Sequence, residues 1–295
     1  MYVITGATGN TGTIVAEKLL AAGQKVRVIG RSVDKLQKFV AKGAEAFAGS
    51  VDDAAAMTRA FTGARAVYAM LPPDVKASDY RAHQEAASDA LAAAIEKAGV
   101  PYVVTLSSFG ADKPDKTGPI AGLHSLEEKL NRITNLNALH LRAGYFMENL
   151  LPQIGVIKQM SMMAGPLKGD TKLPMIATRD IGEAAAAALA GLKFSGKSTR
   201  ELQGAADVTM QQAAATLGQA IGKPGLSYMN APAMMLKPAM MAMGISGNMV
   251  DLILEMSAAI DSGRVAALEK RGPENTTPTT IEWFAANVFA PAFKG

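Results

Sequence analysis

Thr5-Gly6-Ala7-Thr8-Gly9-Asn10-Thr11-Gly12 lies between a short apolar run, Tyr2-Val3-Ile4, and a segment of helical period that begins near Thr13. Each glycine has a separate reason to be there. The first allows a sharp turn, the second lets main-chain N–H groups approach a diphosphate, and the third lets helix pack closely on strand. Thr8, Asn10 and Thr11 fill the loop between them. The alternative, an ordinary turn that happens to be rich in glycine, is disfavoured by the order of apolar strand, glycine loop, helix and second strand.

The second strand, Lys25-Val26-Arg27-Val28-Ile29-Gly30, ends where a dinucleotide fold meets the adenosine ribose. An NAD-selecting site places a carboxylate roughly 20 residues after the glycines. Here Arg31 and Ser32 occupy that place, with Lys35 one turn on, and the only nearby acid, Asp34, falls past the strand end. A guanidinium pairs with phosphate through charge-assisted hydrogen bonds, so the expected cofactor is NADP(H) in preference to NAD(H). A solvated surface arginine is the competing reading of Arg31.

Composition narrows the remaining classes. The chain of 295 residues has no cysteine, which excludes disulfides, thiolate catalysis and thiolate metal sites. Its three histidines, His83, His124 and His140, are scattered, so no metal site is expected. A net charge of +4 arises from 30 basic residues spread along the chain, and no nucleic-acid partner is implied. No apolar run is long enough to span a bilayer, and the first strand leaves no room for a signal peptide. The expectation is a soluble cytoplasmic protein without a membrane partner.

Apolar runs alternate with helical periods through the first half, the pattern of a doubly wound α/β fold with a parallel sheet between helices. Strands are predicted near 2–5, 25–30, 44–48, 65–71, 101–107 and 137–142, and helices near 10–22, 33–42, 53–62, 77–99 and 121–135. A 3-2-1-4-5-6 strand order would bring Thr5, Arg31, Ala48, Leu71, Ser107 and Arg142 to one edge, where ligands bind. Residues 1–150 are therefore read as a nucleotide-binding Rossmann domain. Residues 151–295 are read as a smaller, mainly helical substrate-side lobe, part of whose 170–205 stretch returns to the sheet.

In that second half a strand is expected near Glu201–Gln203, Asp180 is a candidate N-cap, and Thr279-Thr280-Ile281-Glu282 has the spacing of a capping box. Residues 229–256 hold eight of the chain's 17 methionines. Methionine is polarizable and adaptable, suited to a pocket for flat apolar molecules; core filling or an oligomer contact is its commoner use. A homodimer is one arrangement the sequence allows.

The glycine loop, Gly30-Arg31-Ser32, Leu71-Pro72-Pro73, Ser107-Ser108, His124 to Lys129, Leu141 to Asn149 and Arg179-Asp180-Ile181-Gly182 together resemble the NmrA-like branch of atypical short-chain dehydrogenases. The resemblance covers nearly the whole chain. It implies a Rossmann fold and a place among NADPH-dependent quinone and dye reductases, or among regulators that bind the nucleotide without turnover. It also implies cofactor contacts on Gly6, Thr8, Gly9, Asn10, Thr11, Gly12, Arg31, Lys35, Ser50, Asp52, Leu71, Pro72 and Ser107. Ser50 stands where relatives often carry an aspartate.

Short-chain dehydrogenases use a Tyr-x-x-x-Lys pair to move a proton. None of the six tyrosines here has a lysine four residues on. In the corresponding helix the tyrosine position reads as His124 and the lysine position as Glu128, with Lys129 about 100° further round. Hydride transfer survives such a loss if the acceptor delocalises the arriving electron pair, as a quinone or a triarylmethane cation does. The candidate catalytic residues are His124, Lys129 and Tyr145, the partner a small conjugated acceptor. A nucleotide-sensing regulator is the alternative function.

Overall fold

Seven parallel strands form the centre of the protein in a computed structural model that describes residues 1–295. Along the chain, β1 (Tyr2–Ile4), α1 (Asn10–Ala21), β2 (Val26–Gly30), α2 (Gln37–Val40) and β3 (Glu45–Ala48) build one half. α3 (Ala54–Phe61), β4 (Ala66–Ala69), α4 (Tyr80–Lys97), β5 (Tyr102–Ser108), α5 (Ile120–Asn131) and β6 (Asn137–Ala143) build the other. The chain then leaves the sheet as β7 (Tyr145–Phe146), α6 (Gln153–Met160), β8 (Met163–Gly165) and β9 (Leu173–Ile176), and returns as α7 (Thr178–Gly191) and β10 (Lys197–Leu202). The strand order is β10-β6-β5-β4-β1-β2-β3, so the six predicted strands take the predicted order and β10 adds a seventh beside β6.

Both faces of this sheet are apolar because parallel strands are covered on both sides. Val15, Leu19, Ile181, Ala185 and Leu189 of α1 and α7 cover one face. Met57, Phe61, Leu91, Ile95, Leu126 and Leu130 of α3, α4 and α5 cover the other. The remaining chain, β11 (Asp207–Val208), α8 (Met210–Ala220), β12 (Tyr228–Asn230), α9 (Ala233–Ala242), α10 (Gly247–Asp261), α11 (Ile281–Phe284) and α12 (Ala290–Lys294), forms small sheets and helices beside the C-terminal edge of the large sheet. Phe284, Phe289, Leu217 and Leu173 anchor a separate core there. No helix is long and apolar enough to cross a membrane.

Local details depart from the sequence expectations where long-range partners intervene. The helix expected over 33–42 is a 3-10 turn, Asp34–Leu36, followed by the single turn of α2. The strand expected near Glu201–Gln203 begins earlier, at Lys197, because six residues pair in register with Ala138–Ala143 of β6. Asp180 is not an N-cap. α7 starts at Thr178, whose N–H and hydroxyl donate to the Glu148 carboxylate, while Asp180 lies within the first turn and accepts from the N–H and hydroxyl of Thr279. That leaves Thr280, not Thr279, to cap α11 by accepting from the Trp283 N–H at 3.2 Å.

Candidate active site

The β1–α1 corner has the geometry of an anion site. Gly6 adopts φ +60°, and an added Cβ on Gly12 would lie 2.2 Å from the Gly6 carbonyl oxygen. The loop therefore closes only with bare backbone at both positions. Gly9 is the N-cap of α1 and no side chain accepts from the first-turn N–H groups. Those donors and the positive end of the helix dipole are free for an anion. The Thr5 hydroxyl donates to the Tyr68 carbonyl and accepts from the Met70 N–H, tying the loop to β4 at the point where the strand order reverses.

From this corner a cleft of about 790 Å³ runs along the C-terminal edge of the sheet. Gly9, Asn10 and Thr11 form one end, and Leu71, Ser107 and Tyr145 line its length. These six are the sequence-predicted site residues that the fold brings to the cleft wall. Gly6, Thr8 and Gly12 shape the loop behind it. Arg31, Lys35 and Asp52 are exposed and Ser50 half-buried, on the loops that follow β2 and β3, beside β1 at the same sheet edge. Pro72 is half-buried outside the wall, its carbonyl 3.2 Å from Nε2 of His83, and the neighbouring Pro73 takes its place in the lining.

The two α5 candidates do not reach the cleft. Nδ1 of His124 lies 2.8 Å from the Ala111 carbonyl oxygen, and the Lys129 ammonium is held by Glu85 at 2.6 Å and Asp89 at 2.5 Å on α4. One residue earlier on the helix, Leu123 lines the cleft. Glu127, not Glu128, points inward: it is 4% exposed, whereas Glu128 is exposed. The correction is one of helical phase, since a shift of one residue rotates a side chain by about 100°.

Sequence reasoning missed the group that Glu127 completes. The Ser107 hydroxyl donates to Glu127 Oε1, and Arg142 grips both carboxylate oxygens, Nε to Oε1 at 3.0 Å and a terminal nitrogen to Oε2 at 2.6 Å. Strand register sets Ser107, Arg142 and Glu201 side by side on β5, β6 and β10. Burial alone would lower the guanidinium's pKa, but the hydrogen bonds and charge of Glu127, with Asp112 and Glu201 nearby, raise it instead. A signal was available: β6 places His140 and Arg142 on one face of an interior strand, and a buried cation there needs a carboxylate from the covering helix. His140 itself is structural, Nδ1 on the Thr105 hydroxyl at 2.8 Å and Nε2 on Asn131 Oδ1 at 3.0 Å, and burial lowers its pKa.

Tyr145 and Tyr80 are the two phenols that line the cleft, and burial pushes the pKa of Tyr145 up to about 12. Burial, with the Asp74 charge, pushes Tyr80 up to about 12 as well, and Tyr68 and Tyr228 are also raised by burial. The folded protein thus favours the neutral phenol, and the stabilisation is complete below pH 10 and lost as pH rises towards 12. Unfolding free energies from urea titration should be level from pH 8 to 9.5 and fall above pH 10 by on the order of 2 kcal/mol per buried phenol, the tyrosinate absorbance of these phenols appearing only on unfolding. A midpoint unchanged at pH 11 would contradict this.

A reductase of Streptomyces griseus, (4-alkanoyl-5-oxo-2,5-dihydrofuran-3-yl)methyl phosphate reductase, is 30% identical over 224 residues, 76% of this chain and 75% of that protein. The structure of an NADPH-dependent quinone oxidoreductase from Escherichia coli complexed with NADPH superimposes with a TM-score of 0.82 at 24% identity, covering 98% of this chain and 100% of that one. NmrA, a negative transcriptional regulator in complex with NADP, superimposes with a TM-score of 0.73 at 15% identity over 99% of this chain and 96% of its own. The NmrA-like family matches residues 2–284, and the chain belongs to that family.

Proposed function

We propose that the protein is an NADPH-dependent reductase that passes hydride to a quinone-like or other conjugated acceptor, without a Tyr-x-x-x-Lys pair. The observation that carries this reading is a single cleft joining the uncapped N-terminus of α1 to an apolar chamber whose wall includes Leu123, Met249, Met256 and Ile260. A reductase relative acting on an unsaturated lactone and a structural neighbour acting on quinones support the same acceptor class.

The residues at the β1–α1 corner fit a dinucleotide: Gly6 to Gly12 and the first-turn N–H groups would hold the diphosphate. Arg31 and Lys35 would take the ribose phosphate, with Ser50 and Asp52 beside the adenine half and Leu71, Pro72 and Ser107 beside the nicotinamide half. When bound, NADPH supplies a hydride from its nicotinamide ring. The chain supplies the rest. Its apolar wall excludes water and orients a flat acceptor. Ser107, its proton committed to Glu127, presents lone pairs to a donor in the cleft. Tyr145 stays protonated at neutral pH and offers an O–H to an acceptor oxygen that gains charge.

An anaerobic assay of NADPH absorbance tests this. Naphthoquinones should be reduced and a simple ketone such as cyclohexanone should not. Tyr145→Phe should lower kcat with a quinone by about 10- to 100-fold, yet leave reduction of a triarylmethane cation, which has no oxygen at the reacting carbon, within about threefold. Tight NADPH binding with no turnover of any acceptor would overturn the enzyme reading and favour a nucleotide-sensing regulator, the class of the NmrA neighbour.

A further inference from the structure

The methionine-rich segment divides into two parts. Met249 and Met256 of α10 line the cleft. α9 does something else. Met234 is 83% exposed, Met235 52%, Met241 53% and Met243 59%. Residues 229–250 contain one charged side chain, Lys237, and its ammonium lies 2.5 Å from Asp251 on α10.

Helical spacing sorts these side chains. Leu236 is buried and α9 packs on α10. Met234, Pro238 and Met241 stand at i, i+4 and i+7, a single stripe on the side away from Leu236, with Met235 and Ala242 along one edge and Lys237, paired with Asp251, along the other. α9 is thus apolar on both faces, the pattern of a helix covered on both sides, and one chain covers one of them.

We propose that the outer stripe of α9 is the contact between two copies of this chain, packed α9 to α9 about a twofold axis. A twofold contact must be self-complementary, and an unbroken Met-Pro-Met stripe with no free charge meets that condition. The single cation is already neutralised by Asp251, so like charges do not oppose approach. The exposed Met234, Met235, Pro238, Met241 and Ala242 offer roughly 450–500 Å² per copy, so two copies would bury on the order of 900–1,000 Å², at the lower bound for a specific interface. A lipid surface fits less well, since interfacial helices carry a face rich in Lys or Arg and α9 has none. Ser246 N–H donates to the Val75 carbonyl and Tyr80 N–H to Asn248 Oδ1, so the contact would brace the α10 wall of the cleft.

Sedimentation of the full chain from 0.5 to 100 μM should show a concentration-dependent dimer, and Met234→Glu with Met241→Glu should weaken it at least 100-fold while NADPH binding is kept. Because the chain has no cysteine, a Pro238→Cys variant gives a second readout. Mild oxidation should join two copies covalently, whereas Glu96→Cys, on an exposed remote helix face, should not cross-link. A protein that is monomeric at 100 μM, a dimer that survives both glutamates, Pro238→Cys that cross-links no faster than Glu96→Cys, or flotation with phosphatidylcholine–phosphatidylserine vesicles that the glutamates abolish would each overturn the proposal. None of these readouts depends on turnover.

Discussion

Gly12→Ala is expected to weaken NADPH binding by more than 100-fold. The added methyl would sit 2.2 Å from the oxygen and 2.7 Å from the carbon of the Gly6 carbonyl, both backbone atoms, so the loop itself must move. Moving it displaces the first-turn N–H groups of α1 from the position in which they would converge on a diphosphate. Gly155→Ala is the control: it lies within α6, an added Cβ there meets nothing within 4 Å, and it should leave binding unchanged. Nucleotide titration of the two variants, with circular dichroism to confirm folding, separates loop geometry from general instability. Equal affinities in Gly12→Ala and the parent would show that the diphosphate is not held at this corner.

Glu127→Leu is expected to cost about 3–5 kcal/mol of stability, because it strands the Arg142 guanidinium, whose side chain is 13% exposed, without the carboxylate that holds two of its nitrogens. Glu201, in register beside Arg142, is committed to the N–H groups of Leu268 and Glu269 and cannot swing over without breaking them. The double variant Glu127→Leu with Arg142→Met should recover most of the loss, since an apolar pair avoids the desolvation that the ion pair must offset. Urea unfolding of the two single variants and the double variant measures the coupling. Additive losses would mean that the pair is not a unit. A separate fall in kcat/KM of Glu127→Leu, beyond its loss of stability, would reflect the Ser107 hydroxyl released into the cleft.

The sequence disclosed most of what is encoded locally. The glycine loop, the six strands and their order follow from apolar periodicity and from turn residues such as Gly23 and Gly99, both at positive φ in the structure. What it did not disclose depends on contacts far along the chain. β10 joins β6 across about 60 residues, and the stretch that does so reads in isolation as polar. Asp180 has the composition of a cap, yet its carboxylate is taken by Thr279, 99 residues away. Glu127 and Glu128 are equivalent as letters; the phase of α5 against Ser107 and Arg142 decides which is buried. The methionines of 229–256 likewise divide between cleft wall and open surface according to which helix face meets α10.

The site shows the same division. Gly9, Asn10, Thr11, Leu71, Ser107 and Tyr145 line the cleft because strand ends and the switch point dictate their place. His124 and Lys129 hold places in a family pattern, and the rotation of α5 turns both away from the cleft wall. Lys129 links α5 to α4, a role that its pairing with Glu85 and Asp89 makes plain.

The most direct measurement is a calorimetric titration of the unaltered protein and Arg31→Ala with NADPH and with NADH. NADPH should bind the unaltered protein at least tenfold more tightly than NADH does, and in Arg31→Ala NADPH should weaken to the level of NADH while NADH itself changes less than threefold. Equal affinities for the two nucleotides in the unaltered protein, or no binding of either, would contradict it.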